Sequence, residues 1–185
     1  MISIVIPYYK NEKSEEYLKR CIASIQSQSY KDYEIVISEV VGGASKNTNA
    51  GVKKAKGDMV KILCMDDHFT SEHSLQTIVD NFTGEWLVHG VSNNKNPYYT
   101  GDILQGNNKL GGLSSIAFKR NCFIPFDESL VWLFDCKWHR DMYEKYGAPN
   151  IITGDIVTIQ EGDDQATSRI TKETKLLEIY TLNNV

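Results

Sequence analysis

Along the first half of the chain, short apolar runs alternate with segments whose apolar residues recur every three or four positions. Ile2-Ser3-Ile4-Val5-Ile6 is a β-rich run stopped by Pro7, and residues 14–28 place Tyr17, Leu18, Cys21, Ile22 and Ile25 on one helical face. Ser14 suits the N-cap of that helix, with Glu15 and Glu16 in the first turn, where negative charge complements the helix dipole. Tyr33-Glu34-Ile35-Val36-Ile37 predicts a second strand. A short Gly-containing loop then leads to a helix over 47–56, with Gly57 as its natural stop. Residues 58–63 predict a third strand, and Ser71 caps a helix carrying Leu75, Ile78, Val79 and Phe82. The first ninety residues read as β-α-β-α-β-α-β, the alternation of a mostly parallel sheet with right-handed crossovers.

The second half changes character. Residues 92–112 are rich in Asn, Gly, Tyr and Lys, which predicts long loops with short antiparallel strands, the kind of segment that often carries binding function. A strand over 113–119, a helix over 131–146, one or two short strands over 150–160 and a final helix over 171–182 complete the reading. No internal repeat is visible.

At 185 residues and 41% hydrophobic content, the chain fits one compact domain. A formal charge of −4 and no basic cluster argue against a nucleic-acid partner. Lys53-Lys54-Ala55-Lys56 decorates a solvated helix face or helps hold an anionic ligand. The four cysteines lack CxxC spacing and the density of a secreted scaffold, so reduced thiols are expected, with Cys21 and Cys64 as small core residues. The first strand begins at Ile2 with no room for a signal peptide, and no apolar run approaches the roughly 20 residues of a membrane span. A cytoplasmic protein is expected.

The most informative stretch is Lys61-Ile62-Leu63-Cys64-Met65-Asp66-Asp67, where an apolar run ends in two adjacent carboxylates. Ligands in open α/β sheets gather just beyond the carboxyl ends of the strands. Two neighbouring carboxylates repel one another, and a hard divalent ion that itself carries a substrate phosphate resolves the conflict. On the dipeptide alone, turn residues or helix N-terminal charges explain the pair as well. Other signatures fail: His68 and His73 lack zinc-pair spacing, Gly42-Gly43 is no P-loop, and neither a GxGxxG nor a Gly-x-Ser-x-Gly elbow occurs. Asp135 by itself reads as a surface acid or as a partner of His139 or Arg140. Tyr98 and Tyr99, in a loop beside Pro97, are candidates to stack on a ligand, while Trp132, Trp138 and Tyr143 suit either a binding platform or the core. Gly112, after Gly111, permits close backbone approach to a ligand or makes a simple turn.

The order of the pieces is specific. Ser3-Ile4-Val5-Ile6-Pro7-Tyr8-Tyr9-Lys10-Asn11, then Tyr17-Leu18-x-x-Cys21-Ile22-x-Ser24-Ile25-x-x-Gln28-Ser29-Tyr30, then Glu34-Ile35-Val36-Ile37 resembles the opening of the family 2 glycosyltransferases of the GT-A fold. Asn49-x-Gly51-x-x-x-Ala55-x-Gly57-Asp58-x-Val60-x-x-Leu63 and then Asp66-Asp67 continue the likeness. Phe126-Asp127-Glu128-Ser129-Leu130 and Asp135 are similar to the family's FDE segment and the helix bearing its catalytic acid, and 154–168 is similar to its closing segment. The chain departs from the pattern in several places. Ser38-Glu39 stand where two carboxylates are usual, Cys64 replaces the first Asp of Asp-x-Asp-Asp, and Phe134 replaces the acid before the base. Gln160 and Glu161 stand near the usual late His, and the stretch between Glu39 and Asn47 is shorter than in typical relatives.

The resemblance implies an α/β fold of GT-A type: a Rossmann-like, mostly parallel sheet flanked by helices, with a smaller antiparallel acceptor-side portion. It implies one domain over 1–185, with 1–91 binding the nucleotide sugar and 92–185 the acceptor. It further implies inverting transfer of a sugar from a nucleoside diphosphate to a glycan or lipid-linked acceptor in polysaccharide biosynthesis, peripheral to a membrane through that acceptor. The expected roles are Mn²⁺ or Mg²⁺ on Asp66, Asp67 and Glu161; the nucleotide sugar on Pro7, Tyr8, Tyr9, Glu39, Asn49 and Asp66; and Asp135 as general base. Tyr98, Tyr99, Gly112 and Trp132 complete the set as acceptor or sugar candidates. Two rivals stand beside this reading. Cys64 and Ser38 motivate a degenerate module that binds sugar nucleotide without turnover. A nucleotidyltransferase would need a Gly-rich basic loop where Pro7-Tyr8-Tyr9-Lys10 stand. Donor base, sugar and oligomeric state have no readable code.

Overall fold

A computed structural model describes residues 1–160 and 169–184. In chain order the elements are β1 (Ile2–Pro7), α1 (Ser14–Gln26), β2 (Tyr33–Ser38), α2 (Ala44–Lys54), β3 (Met59–Ile62), β4 (His68–Phe69), α3 (Ser74–Asn81) and β5 (Trp86–Val91). They continue with β6 (Ile116–Lys119), α4 (Phe134–Tyr146), β7 (Asn150–Thr158) and α5 (Lys172–Asn183). One seven-stranded sheet, ordered β2-β1-β3-β6-β5-β7-β4, draws strands from both halves of the chain. β1, β2, β3, β5 and β7 run one way, and β4 and β6 oppose them. The sheet is therefore mostly parallel, with the antiparallel part on the side of the second half.

Side chains alternate across a strand, so β1 feeds two cores. Ile2, Ile4 and Ile6 pack with Cys21 and Ile25 of α1 and Leu75 and Ile78 of α3. Val5 packs on the opposite face with Val52 of α2 and Cys136, Trp138 and Met142 of α4. All six residues of β1 and of β5 are buried, which is why both read as nearly unbroken apolar runs.

Several elements differ from the expectation for tertiary reasons. Two-residue β4 exists only through its antiparallel pairing with β7. His68 thus lies in a strand and His73 just before α3, rather than on one helix. The strand expected from 113 starts at Ile116, after a 3-10 turn over Leu113–Ser115 in which the Ser115 hydroxyl donates to the Gly112 carbonyl (2.7 Å). Over 92–112 the only regular element among the described residues is a 3-10 turn, Ile103–Gln105. Residues 150–158 form one strand rather than two, its register against β5 shifting between His89 and Val91. At that shift a Cβ on Gly90 would sit 2.1 Å from the Gly154 carbonyl oxygen, so only glycine fits. Glu178 of α5 sets the start of α4: its carboxylate accepts the N–H groups of Val131 (2.7 Å), Trp132 (3.1 Å) and Leu133 (2.8 Å). No described helix is long and apolar enough to cross a membrane.

His139 is a weak point in this core. Its ring is fully buried beside Trp86 and Trp138, and neither nitrogen has a hydrogen-bond partner among the described residues. An unmade buried bond costs about 1–3 kcal/mol, so His139→Leu is expected to raise the unfolding free energy in urea by about 1 kcal/mol at pH 7. Burial holds the imidazole down to about 3 against an ordinary 6.5. Below 6.5 the unfolded chain takes up a proton that the folded chain refuses until about 3, so stability is lost as pH falls through that window. The substitution should flatten that loss; an equally acid-sensitive variant would overturn the assignment.

Candidate active site

β3 delivers an acid turn. Just past its end the Asp67 N–H donates to the Cys64 carbonyl (3.0 Å), which folds the chain back. Cys64 Sγ and the carboxylates of Asp66 and Asp67 then converge, their ligand atoms all within 4.8 Å of one another. Cys64 is consequently only half-buried, packed against the edge of the core with its thiol among the acids, rather than enclosed as its apolar neighbours implied, whereas Cys21 is fully buried. Asp67 is only 5% exposed and its Oδ1 accepts the Gln160 N–H (2.9 Å). Burial, and then the charge of Asp66, push its carboxyl up to about 7. Desolvation also raises the half-buried Asp66 carboxyl.

Two cations that the sequence reading did not single out support this turn. Arg20 of α1 donates through Nη2 to the Asp66 carbonyl (2.6 Å) and to Gln160 Oε1 (2.7 Å), tying the acid turn to the segment after β7. Lys61 lies fully buried in β3, paired with Ile4 and Ala117. Its Nζ donates to the carbonyls of Ile62 (2.7 Å), Ser114 (2.6 Å) and Ile116 (3.4 Å), one acceptor for each ammonium N–H. Burial lowers it to about 7, while the negative charge of Asp67 pulls the other way. The only sequence signal for Lys61 was a charge inside a run expected to be buried on both faces.

The end of β1 borders this cluster. Pro7 pairs with Ser38, the Tyr8 N–H donates to the Ser38 carbonyl (2.8 Å), and Asn47 Nδ2 donates to the Tyr8 carbonyl (2.7 Å). Burial, then the charge of Asp66, push the Tyr9 phenol up to about 12, although the residue is 42% exposed. Glu39 is exposed just beyond β2. Asn49, buried on α2, faces a different neighbour: its Nδ2 donates to the Phe126 carbonyl and Glu128 Oε1 (2.9 Å each), and its Oδ1 accepts the Phe126 N–H (2.8 Å). It braces the 126–128 segment against the helix.

Asp135 stands in the first turn of α4, behind the Glu178 cap. Its Oδ1 accepts the Cys136 N–H (2.8 Å), its Oδ2 accepts from Asn108 Nδ2 (3.2 Å), and a Cβ on Gly112 would lie 3.9 Å from Oδ2. Desolvation pushes the carboxyl up to about 6. The turn through 111–115 links the two acidic centres: Gly112 lies against Asp135, and Ser114 Oγ accepts the Cys64 N–H (2.8 Å). Among the aromatic candidates, Tyr98 is exposed and Tyr99 stacks on Tyr143 at 4.1 Å. Trp132 is half-buried with Lys175 5.3 Å from its ring centroid, and Trp138 is core. Glu161 lies outside the described residues.

Known proteins share this fold. The model of glycosyl transferase family 2 matches residues 3–39, the run from β1 through α1 to the end of β2. S. aureus TarS 1–349, solved in complex with UDP-GlcNAc, superposes with a TM-score of 0.70 over 98% of this chain and 64% of its own, at 17% identity. The mannosyltransferase PcManGT from Pyrobaculum calidifontis, in complex with GDP-Man and Mn²⁺, gives 0.68 over 98% and 63% at 14% identity. The chain has the GT-A fold of the family 2 glycosyltransferases. A third member of the fold, glucosyl-3-phosphoglycerate synthase from Mycobacterium tuberculosis in complex with Mn²⁺, UDP and phosphoglyceric acid, gives 0.58 over 97% and 78% at 14% identity. No curated protein sequence matches the chain. This GT-A chain spans about three fifths of the length of TarS 1–349. In it, the acid turn lies at the carboxyl end of β3, where open α/β sheets gather ligands.

Proposed function

We propose that the protein is an inverting glycosyltransferase that moves a sugar from a nucleoside diphosphate to a hydroxyl of a glycan or lipid-linked acceptor. The observation that carries this reading is the convergence of Cys64, Asp66 and Asp67 at the end of β3 in a GT-A sheet, with Asp135 across the 111–115 turn. Two carboxylates, one of them buried with a raised pKa, make a donor set that fits Mn²⁺ or Mg²⁺. Asp66 and Asp67 would hold the ion, which when bound neutralises charge on the departing diphosphate. Pro7, Tyr8, Tyr9 and Glu39 border the nucleotide sugar, and Asn49 acts through the 126–128 segment that it braces. Asp135 takes the proton of the acceptor hydroxyl while that oxygen bonds to the anomeric carbon and the bond to the diphosphate breaks on the opposite face. Tyr98, Tyr99, Gly112 and Trp132 line the acceptor side. In this reading the enzyme works in the cytoplasm, peripheral to the membrane through its acceptor, in polysaccharide biosynthesis.

Cys64 in the place of a carboxylate favours a second reading, a module that binds sugar nucleotide and releases no diphosphate. Thermal unfolding with UDP, GDP, CMP and dTDP, each with and without Mn²⁺, tests the donor site in the native chain and in Asp66→Asn. A ligand at a hundred times its Kd stabilises the fold by about 2.7 kcal/mol. The expected result is a shift that needs one nucleotide together with metal and vanishes in Asp66→Asn. No shift with any nucleotide sinks the donor site, and binding without diphosphate release from the matching sugar nucleotide selects the module.

A further inference from the structure

Asn108 occupies the neck of the loop between β5 and β6, and each polar atom of its amide has a defined task. Its Oδ1 accepts the N–H groups of Leu110 (3.0 Å) and Gly111 (3.1 Å), which closes a tight turn. With the oxygen committed there, the amide's orientation is fixed. Nδ2 donates to the Gly111 carbonyl (2.9 Å) and to Asp135 Oδ2 (3.2 Å). Behind this residue the loop is laced shut: the Tyr98 N–H donates to the Lys109 carbonyl (3.1 Å), Asn94 Nδ2 donates to the same carbonyl (2.8 Å), and the Thr100 hydroxyl donates to the Asn107 carbonyl (2.6 Å). The loop that carries Tyr98 and Tyr99 therefore ends in a donor aimed at the carboxylate on α4.

We propose that Asn108 is a positioning residue for Asp135, orienting its carboxylate and holding it ionised through the bond to Oδ2, so that the 98–109 loop and the base are set as one unit. The catalytic consequence rests on the reading of Asp135 as general base. The other Asp135 oxygen is held by the Cys136 N–H, and Gly112 closes the near side. The titratable groups beside Asp135 among the described residues are the Cys136 thiol on its own helix and the Glu178 carboxylate from α5, which holds the three N–H groups before the helix. The Cys136 thiol hydrogen-bonds the Asp135 carboxylate from the same helix, whereas Asn108 is the donor that the loop brings to Oδ2. A charge-assisted donor of this kind favours the ionised form, against the desolvation that opposes it.

Asn108→Asp separates this task from a merely structural one. It keeps an oxygen to accept from Leu110 and Gly111, and it replaces the donor facing Asp135 by a second acid. Asn108→Ser, which keeps a short acceptor for the turn and cannot reach Asp135, is the companion should the first variant fold poorly. Carboxyl ¹³C NMR follows the Asp135 titration directly, with its signal assigned by its absence in Asp135→Asn. In the native chain it is expected near pH 6. It should rise by about one unit in Asn108→Ser and further in Asn108→Asp, where like charges resist joint ionisation. The acid limb of kcat for sugar transfer should move with it, with the donor KM changed less. Variants that fold like the native chain and leave the Asp135 titration where it was would overturn the proposal. A titration that moves while the acid limb stays upholds Asn108's hold on the carboxylate and removes Asp135 as the base.

Discussion

Asp135→Asn is expected to lower kcat for sugar transfer by about 10²–10⁴-fold, the usual contribution of a positioned base, while nucleotide-dependent stabilisation persists. The amide keeps the side chain's shape and cannot take the acceptor's proton. The same group predicts the pH dependence. Burial raises the carboxyl from 3.8 to about 6, and a base works only when ionised, so the native rate should fall as pH drops through about 6. Stability moves in the opposite sense. A carboxyl with a raised folded-state pKa contributes stability that is fully present below pH 3.8 and lost as pH rises through about 6. At pH 8 the native chain buries a charge that the variant does not, so Asp135→Asn should melt no lower than the native chain while turning over far more slowly. Single-turnover transfer and thermal melts at pH 5, 6.5 and 8 check both halves. A variant within tenfold of the native rate at pH 8, or one whose lost activity tracks a lower melting point, would remove Asp135 from the chemistry.

What was legible in the sequence was whatever is encoded locally. β1 and α1 follow from a two-sided apolar run and a stripe every three or four residues, and both lie where those patterns put them. Asp66 and Asp67 were legible because two carboxylates directly after an apolar strand are placed by the chain itself. The residues that hold these acids in place were not. Arg20 reads as one more charge on the polar face of α1, and only the fold brings its guanidinium to the Asp66 carbonyl 46 residues on. Glu178 reads as the solvent side of the last helix until α5 docks against the start of α4. Asn108 belongs to a polar loop with no periodicity. In each case the partner is distant in sequence, and no spacing rule reaches it. Cys64 misled for the opposite reason: its apolar neighbours signalled core, but the strand ends before it and the turn rotates its thiol toward the acids.

Lys61→Met should destabilise the fold by about 3–5 kcal/mol, since each buried carbonyl that loses a donor costs about 1–3 kcal/mol. Methionine fills most of the space of the lysine stem, so the loss would come from charge and hydrogen bonding. Three carbonyls lose their donor, and Asp67, 5% exposed, loses the ammonium whose field opposes its burial. Asp67→Asn in the same chain should recover a large part of that loss, because a neutral amide does not need the cation. Urea unfolding of the native chain, the two single variants and the double variant isolates the coupling, expected at 1 kcal/mol or more in a cycle that resolves about 0.5 kcal/mol. Singles that simply add would show that the buried ammonium serves the carbonyls alone, and a Lys61→Met chain as stable as the native one would overturn both roles. The coupling also bears on the donor site. With the field of Lys61 acting on Asp67 and Arg20 bound to the Asp66 carbonyl, two internal basic groups already act against the charge of two carboxylates. A free divalent ion then gains little at this turn by itself, whereas a nucleoside diphosphate restores the excess of negative charge that holds one. Removing Lys61 takes away that internal compensation. In Lys61→Met, Mn²⁺ alone should therefore raise the melting point, where the native chain responds only to Mn²⁺ and nucleotide together; equal responses of both chains to the bare ion would break this link between the buried lysine and the acid turn.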